Sequence, residues 1–137
     1  MTADPKPAAA SGVVELTRDN FAESINDQPF AVVDFWAPWC GPCRAFAPVF
    51  AAAAEKHPDI RFAKVDTEAQ QELAANFNIR SIPTLMIFRD NVIVFAEAGA
   101  LSAGAFDRVL DAAKALDMDA VRREIDAQTK TGTPDAA

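Results

Sequence analysis

Cys40 and Cys43 are the only two cysteines in the 137-residue chain, and just two residues separate them. Thiols at that spacing can close into a disulfide, attack another disulfide, ligate a metal, or simply fill space as small buried residues. The flanking pattern bears on the choice. Phe30 to Trp36 is a near-continuous apolar run, as in a strand buried on both faces. After the pair, Phe46, Val49, Phe50, Ala53 and Ala54 recur at i, i+3, i+4, i+7 and i+8, one stripe of an amphipathic helix. The cysteines therefore fall where a strand turns into a helix N-terminus. Free backbone N–H groups and the positive end of the helix dipole favour a thiolate there, and the thiolate is the nucleophile of disulfide exchange. Cys40, at the helix mouth and the more exposed of the two, is expected to attack. Cys43, one turn further in, is expected to resolve the mixed disulfide. A structural zinc site wants four ligands, and the remaining soft candidate is the single His57. No metal is expected.

One carboxylate, Asp34, interrupts the apolar strand. Burial without a partner raises a carboxyl pKa, which would let Asp34 exchange a proton with Cys43 as that thiol becomes nucleophilic. The competing reading is a structural acid satisfied by a partner.

The elements that must hold these groups can be read in order. Val13–Leu16 reads as a short edge strand. Thr17 is placed to cap a helix from Asp19 to about Ile25, which the turn Asn26-Asp27-Gln28-Pro29 ends. The central strand Phe30–Trp36 and the helix from Cys40 to about His57 follow. Pro48 lies inside that helix, where it removes a hydrogen bond and bends it, and Pro58 marks the exit. Ile60–Val65 is the next strand. Thr67 and Gln70 stand at capping-box spacing before a helix carrying Leu73, Ala74 and Phe77. Leu85–Phe88 and Val92–Ala96 read as a hairpin across the two-residue turn Asp90-Asn91. Gly99-Ala100-Leu101 is a loop, and Ser102 caps a helix with a stripe of Phe106, Val109, Leu110, Ala113 and Leu116. Met118, Val121 and Ile125 suggest a short extra helix before a flexible Thr/Gly/Pro-rich tail. This order predicts an α/β fold with a mixed, mostly parallel central sheet and helices on both faces.

Composition sets outer limits. The length suits one domain. A net charge of −7 argues against nucleic acid, which needs clustered Lys and Arg. Residues 1–12, rich in Ala and Pro, show no apolar core of a signal peptide and are expected to be disordered. No stretch approaches the ~18 apolar residues of a membrane span. The expected setting is the cytoplasm, where thiols stay reduced and a lone Cys-x-x-Cys reads as catalytic.

Trp39-Cys40-Gly41-Pro42-Cys43, preceded by Val33-Asp34-Phe35-Trp36 and followed by Pro48, resembles the active site of the thioredoxin family. The resemblance runs from about Val13 to Asp117, leaving residues 1–12 as an arm and 118–137 as an extension. It implies a thioredoxin fold with about five strands. It also implies a redox-active Cys40–Cys43 disulfide with no bound cofactor. Lys64 matches the family's partly buried lysine, which modulates the proton-transfer carboxylate, here Asp34. Ser81-Ile82-Pro83-Thr84 resembles the family's cis-proline loop facing the cysteines, with the Ile82 backbone free to pair with an extended substrate. Trp36, Trp39, Gly41, Pro42, Ile82, Gly99 and Ala100 would then form an apolar substrate rim. Gly41-Pro42 carries no His, which resembles the reductants of the family more than its oxidants and isomerases. The implied activity is protein-disulfide reduction by a monomer, recharged by a flavin-containing, NADPH-dependent thioredoxin reductase. The implied clients are proteins such as ribonucleotide reductase, peroxiredoxin and methionine sulfoxide reductase. A non-redox chaperone-like or subunit-binding module using the same rim is the alternative. Two departures stand out: Arg44 where many relatives carry Lys, and no glycine in the turn Asp90-Asn91.

Overall fold

Strand β2 (Phe30–Trp36) lies in the middle of a five-stranded sheet, and six of its seven residues are buried. The computed structural model describes residues 12–131, so the N-terminal arm short of Gly12 and the C-terminal tail beyond Thr131 lie outside the described residues. Before β2 come β1 (Val13–Glu15) and α1 (Phe21–Asn26). After it come α2 (Gly41–Lys56), β3 (Arg61–Asp66), α3 (Gln71–Asn76), β4 (Thr84–Arg89), β5 (Val92–Ala98), α4 (Ala103–Lys114) and α5 (Met118–Thr131). The sheet order is β1-β3-β2-β4-β5, which makes β1 an edge strand as expected.

β1 and β2 both run parallel to β3, whereas β4 is antiparallel to β2 and β5 to β4. The sheet is mixed, as the element order predicts. Four of the five strands run in one direction, and β4 alone runs against them, antiparallel to both β2 and β5. Asp90 and Asn91 turn that hairpin with φ of 52° and 68°, the left-handed conformation that Asn and Asp tolerate without glycine.

Two apolar layers sandwich the sheet. On one face Phe46 and Phe50 of α2 meet Phe62 of β3 and Phe106 of α4, with ring centroids 5.3 to 6.3 Å apart. On the other, Phe21 of α1 meets Phe77 and Phe88 at 5.1 and 6.1 Å, over Phe35. Ser102 caps α4 as expected, its hydroxyl accepting from the Ala105 N–H at 3.2 Å.

Three local expectations give way. Thr17 does not cap a helix from Asp19. Its hydroxyl accepts from the Asp19 N–H while Asn20 Oδ1 accepts from the Thr17 N–H at 2.7 Å, a turn that delays α1 to Phe21. Thr67 and Gln70 form no capping box, because Gln70 Oε1 accepts from the Arg18 N–H and Thr67 is bonded to the end of β2. Leu116 lies beyond the end of α4 and is exposed.

Helix α5 is 14 residues long, well beyond the short helix expected. Met118 is buried, Val121 is half-buried and Ile125 is exposed. The Asp117 carboxylate accepts from the N–H groups of Asp119 and Ala120 at its first turn, and Arg122 bonds Asp90 of the hairpin turn at 2.8 Å. No described helix is long and apolar enough to cross a membrane.

With a single buried side chain among the described residues, α5 should contribute modestly to stability. Met118→Ala is expected to lower the unfolding free energy by about 2 kcal/mol, against roughly 3–5 kcal/mol for Phe50→Ala in the centre of the core. Urea unfolding of both variants tests this; equal losses would mean that α5 is part of the core.

Candidate active site

The turn between β2 and α2 is short. The Cys40 N–H donates to the Ala37 carbonyl at 3.1 Å, and Cys40 then stands as the N-cap of α2 in extended conformation. Its Sγ accepts from the Cys43 N–H at 3.2 Å, so a free donor of the helix terminus points at the sulfur. Cys40 and Cys43 are joined as a disulfide, with Cα atoms 5.2 Å apart. Both cysteines are buried, Cys40 4% exposed and Cys43 1%. Gly41 and Pro42 lie exposed in the first helical turn, and proline there forfeits no helical hydrogen bond.

The chain before β4 faces this turn. The Ile82–Pro83 bond is cis, and the Ile82 carbonyl oxygen lies 3.9 Å from Cys40 Sγ. In the disulfide that sulfur has no proton, so the approach is a contact; in the dithiol form a Cys40 S–H could donate to the same oxygen. The Gly99 N–H donates to the Pro83 carbonyl at 2.8 Å, which ties the loop after β5 to the loop before β4. Gly99 holds a φ of 112°, open to glycine but strained for other residues. Trp36 and Ile82, both half-buried, pack around Ala37 and the two cysteines. Trp39, Gly41, Pro42, Gly99 and Ala100 are exposed, and Trp39 is 65% so.

Asp34 is 1% exposed, and neither carboxylate oxygen has a hydrogen-bond partner within the protein. Loss of hydration therefore dominates and pushes its pKa up to about 7, with the positive charge of Lys64 working in the opposite direction. Lys64 is the register neighbour of Asp34 on β3. It forms no ion pair with it: the ammonium lies over the Trp36 ring, 4.2 Å from its centroid. The reading of Asp34 as an acid satisfied by a partner is thus not what the structure holds.

Two residues outside the expected site also support it. Thr67 donates to the Trp36 carbonyl twice, from its backbone N–H at 2.8 Å and its hydroxyl at 3.0 Å. Glu68 Oε2 accepts from the Trp39 indole N–H at 2.9 Å. Both follow the C-terminal end of β3, which runs parallel to β2 and so ends beside it. That adjacency was the only available signal, and it emerges only once strand directions are known. Among the described residues no cluster of three His, Cys, Asp or Glu could hold a metal ion.

The sequence and the fold both have counterparts among known proteins. A sequence model of the thioredoxin family matches residues 12–112. A Streptomyces coelicolor protein named as a thioredoxin is 54% identical over 115 residues, covering 84% of this chain and 86% of that one. Thioredoxin 1 of Synechococcus elongatus is 40% identical over 106 residues, covering 76% and 96%. Among solved structures, a mutant thioredoxin from Halobacterium salinarum superposes with a TM-score of 0.72 at 28% identity, covering 85% of this chain and 99% of that one.

A carboxyl group whose pKa is raised in the folded state makes the fold less stable as pH climbs from the unfolded value toward the folded one. Asp34 should therefore cost nothing at pH 4 and its full penalty above pH 7. Asp34→Asn is expected to match the parent near pH 4 and exceed it by about 4 kcal/mol at pH 8, at 1.36 kcal/mol per pKa unit. Urea unfolding of the two proteins across that range tests it. A difference that does not vary with pH would show that Asp34 ionises at an ordinary pKa.

Proposed function

This chain belongs to the thioredoxin family and is a thiol–disulfide oxidoreductase built on Cys40 and Cys43; from that premise we propose that it works in the reducing direction, as a cytoplasmic protein-disulfide reductase. The observation that carries the mechanism is the position of Cys40: its sulfur faces the Cys43 N–H at the N-terminus of α2 on one side and the Ile82 carbonyl on the other.

In the dithiol form the Cys40 thiolate attacks one sulfur of a substrate disulfide. A Cys40–substrate disulfide forms and the other substrate sulfur leaves as a thiolate. Cys43 then loses its proton to the Asp34 carboxylate and attacks Cys40 Sγ. The Cys40–Cys43 disulfide closes, the second substrate sulfur leaves, and two electrons have passed to the substrate. An Asp34 pKa of about 7 suits this exchange, since the group is poised between its two protonation states near neutral pH. Lys64 tunes that balance, its charge favouring the carboxylate.

The backbone beside cis-Pro83 offers an edge to an extended substrate segment, and Trp36, Trp39, Gly41, Pro42, Ile82, Gly99 and Ala100 supply an apolar rim with little side-chain preference. Gly41-Pro42 places no positive charge beside Cys40 that would hold the thiolate and favour oxidation. Recharging is assigned to an NADPH-dependent, flavin-containing thioredoxin reductase. Ribonucleotide reductase, peroxiredoxin and methionine sulfoxide reductase are assigned as clients of a monomer. The oxidoreductase unit is placed at residues 13–117, with 118–137 as an extension.

Cys40→Ser should abolish reduction of a model protein disulfide, and Cys43→Ser should trap substrate on Cys40 as a mixed disulfide visible by non-reducing electrophoresis and mass. Normal turnover by the Cys43 variant would rule out the two-thiol mechanism. Survival of full client binding and activity in both variants would favour the non-redox module instead.

A further inference from the structure

Four large apolar side chains are exposed among the described residues, and three of them gather at one place. Ile93, Leu116 and Ile125 line a groove of about 450 Å³ between β5 and α5, away from the fourth, Trp39. Val92 and Val121 complete the apolar walls. The groove depends on residues past the matched family region: Leu116 and α5 lie beyond residues 12–112, where the family model ends.

Two further features bear on what the groove would take. One is backbone. β5 pairs with β4 on one side and, among the described residues, with no strand on the other, and three consecutive residues of this edge strand, Val92, Ile93 and Val94, line the groove. The other is charge. Glu124 is the one charged side chain lining the groove, and no ion pair among the described residues engages it, while neighbouring Arg122 is committed to Asp90 and Asp119. An apolar slot with an unpaired strand edge and a lone carboxylate is complementary to an extended apolar segment that carries one cation.

We infer that the β5–α5 groove is a docking site for an extended, apolar segment of a partner protein bearing a lysine or arginine, which adds to the β5 edge and sets its cation against Glu124. The groove begins at the Val92 end of β5, and the proposed redox rim lies past the other end at Gly99, roughly 20 Å away at the rise of an extended strand. A partner held there leaves Cys40 uncovered. The site would thus recruit a partner without competing for the disulfide.

The test uses the full chain, ¹⁵N-labelled, titrated with the blocked peptide Thr-Val-Lys-Val-Thr-Val, and light scattering of the free protein. Amide shifts are expected at Val92–Val94 and along residues 116–128. The same peptide with Pro for its central Val, which removes a main-chain donor, should bind at least about tenfold more weakly. Ile93→Lys should abolish the shifts while leaving reduction of a model protein disulfide unchanged. Glu124→Lys should reverse the preference between the lysine peptide and one carrying Glu in its place. The inference is overturned if no shifts appear at millimolar peptide, if the shifts fall instead around Trp39 and Ile82, or if the Lys and Glu peptides bind equally. It is also overturned if the free protein is a dimer that Ile93→Lys dissociates, since the occupant would then be a second copy.

Discussion

β2 is held from four directions. β3 and β4 bond its two edges, while Phe46 and Phe50 lie over one face and Phe21 and Phe77 over the other. Its C-terminal end is accordingly fixed by pairing on both edges and packing on both faces, and the reactive turn hangs from it. The sulfur of Cys40 can meet a helix N–H on one side and a carbonyl on the other only because the strand end, the helix start and the loop before β4 are all fixed relative to β2. Preorganisation of this kind costs nothing at the moment of reaction, because it was established on folding.

The same burial carries an energetic cost at Asp34. A carboxylate at the centre of a close-packed sheet, with no hydrogen bond to either oxygen, has no structural justification. Lys64 stands next in register but is drawn to the Trp36 ring, so its field reaches Asp34 without a contact that would neutralise it. A direct ion pair would hold the acid ionised at neutral pH. Keeping the two charges apart retains an acid that titrates near neutrality.

How much of this could be read from the sequence depended on the range of the interactions involved. β2 was legible residue by residue, because burial on both faces demands an unbroken apolar run and Phe30–Trp36 supplies one. The stripe of α2, the Asp90-Asn91 turn and the Ser102 cap were legible for the same reason: each is decided within a few residues. Thr17, Thr67 and Gln70 were misread because their side chains had a choice between a local helix cap and another partner, and the fold supplied the other partner. The place of β4 beside β2 was hidden because it rests on pairing between strands far apart in sequence. The length of α5 was hidden because Met118 is its only buried side chain among the described residues, so a helix of 14 residues leaves almost no periodic trace. Of the candidate site, Cys40, Cys43 and Asp34 stand out by type and neighbours, and Pro83 only through the resemblance of its flanking residues to the family's loop. Glu68 does not, since nothing near it in sequence points to Trp39.

The strand directions give the molecule two dissimilar poles. β2, β3 and β5 finish at the pole of the disulfide, and β4 starts there; β1, parallel to β3, starts at the other pole, as do β2 and β3. A chain arriving at Gly12 therefore enters on the side remote from Cys40, where the hairpin turn at Asp90 and its bond to Arg122 also lie. The length of the sheet thus separates the start of the described chain from the reactive face. Separation of that kind comes from the winding of the sheet alone.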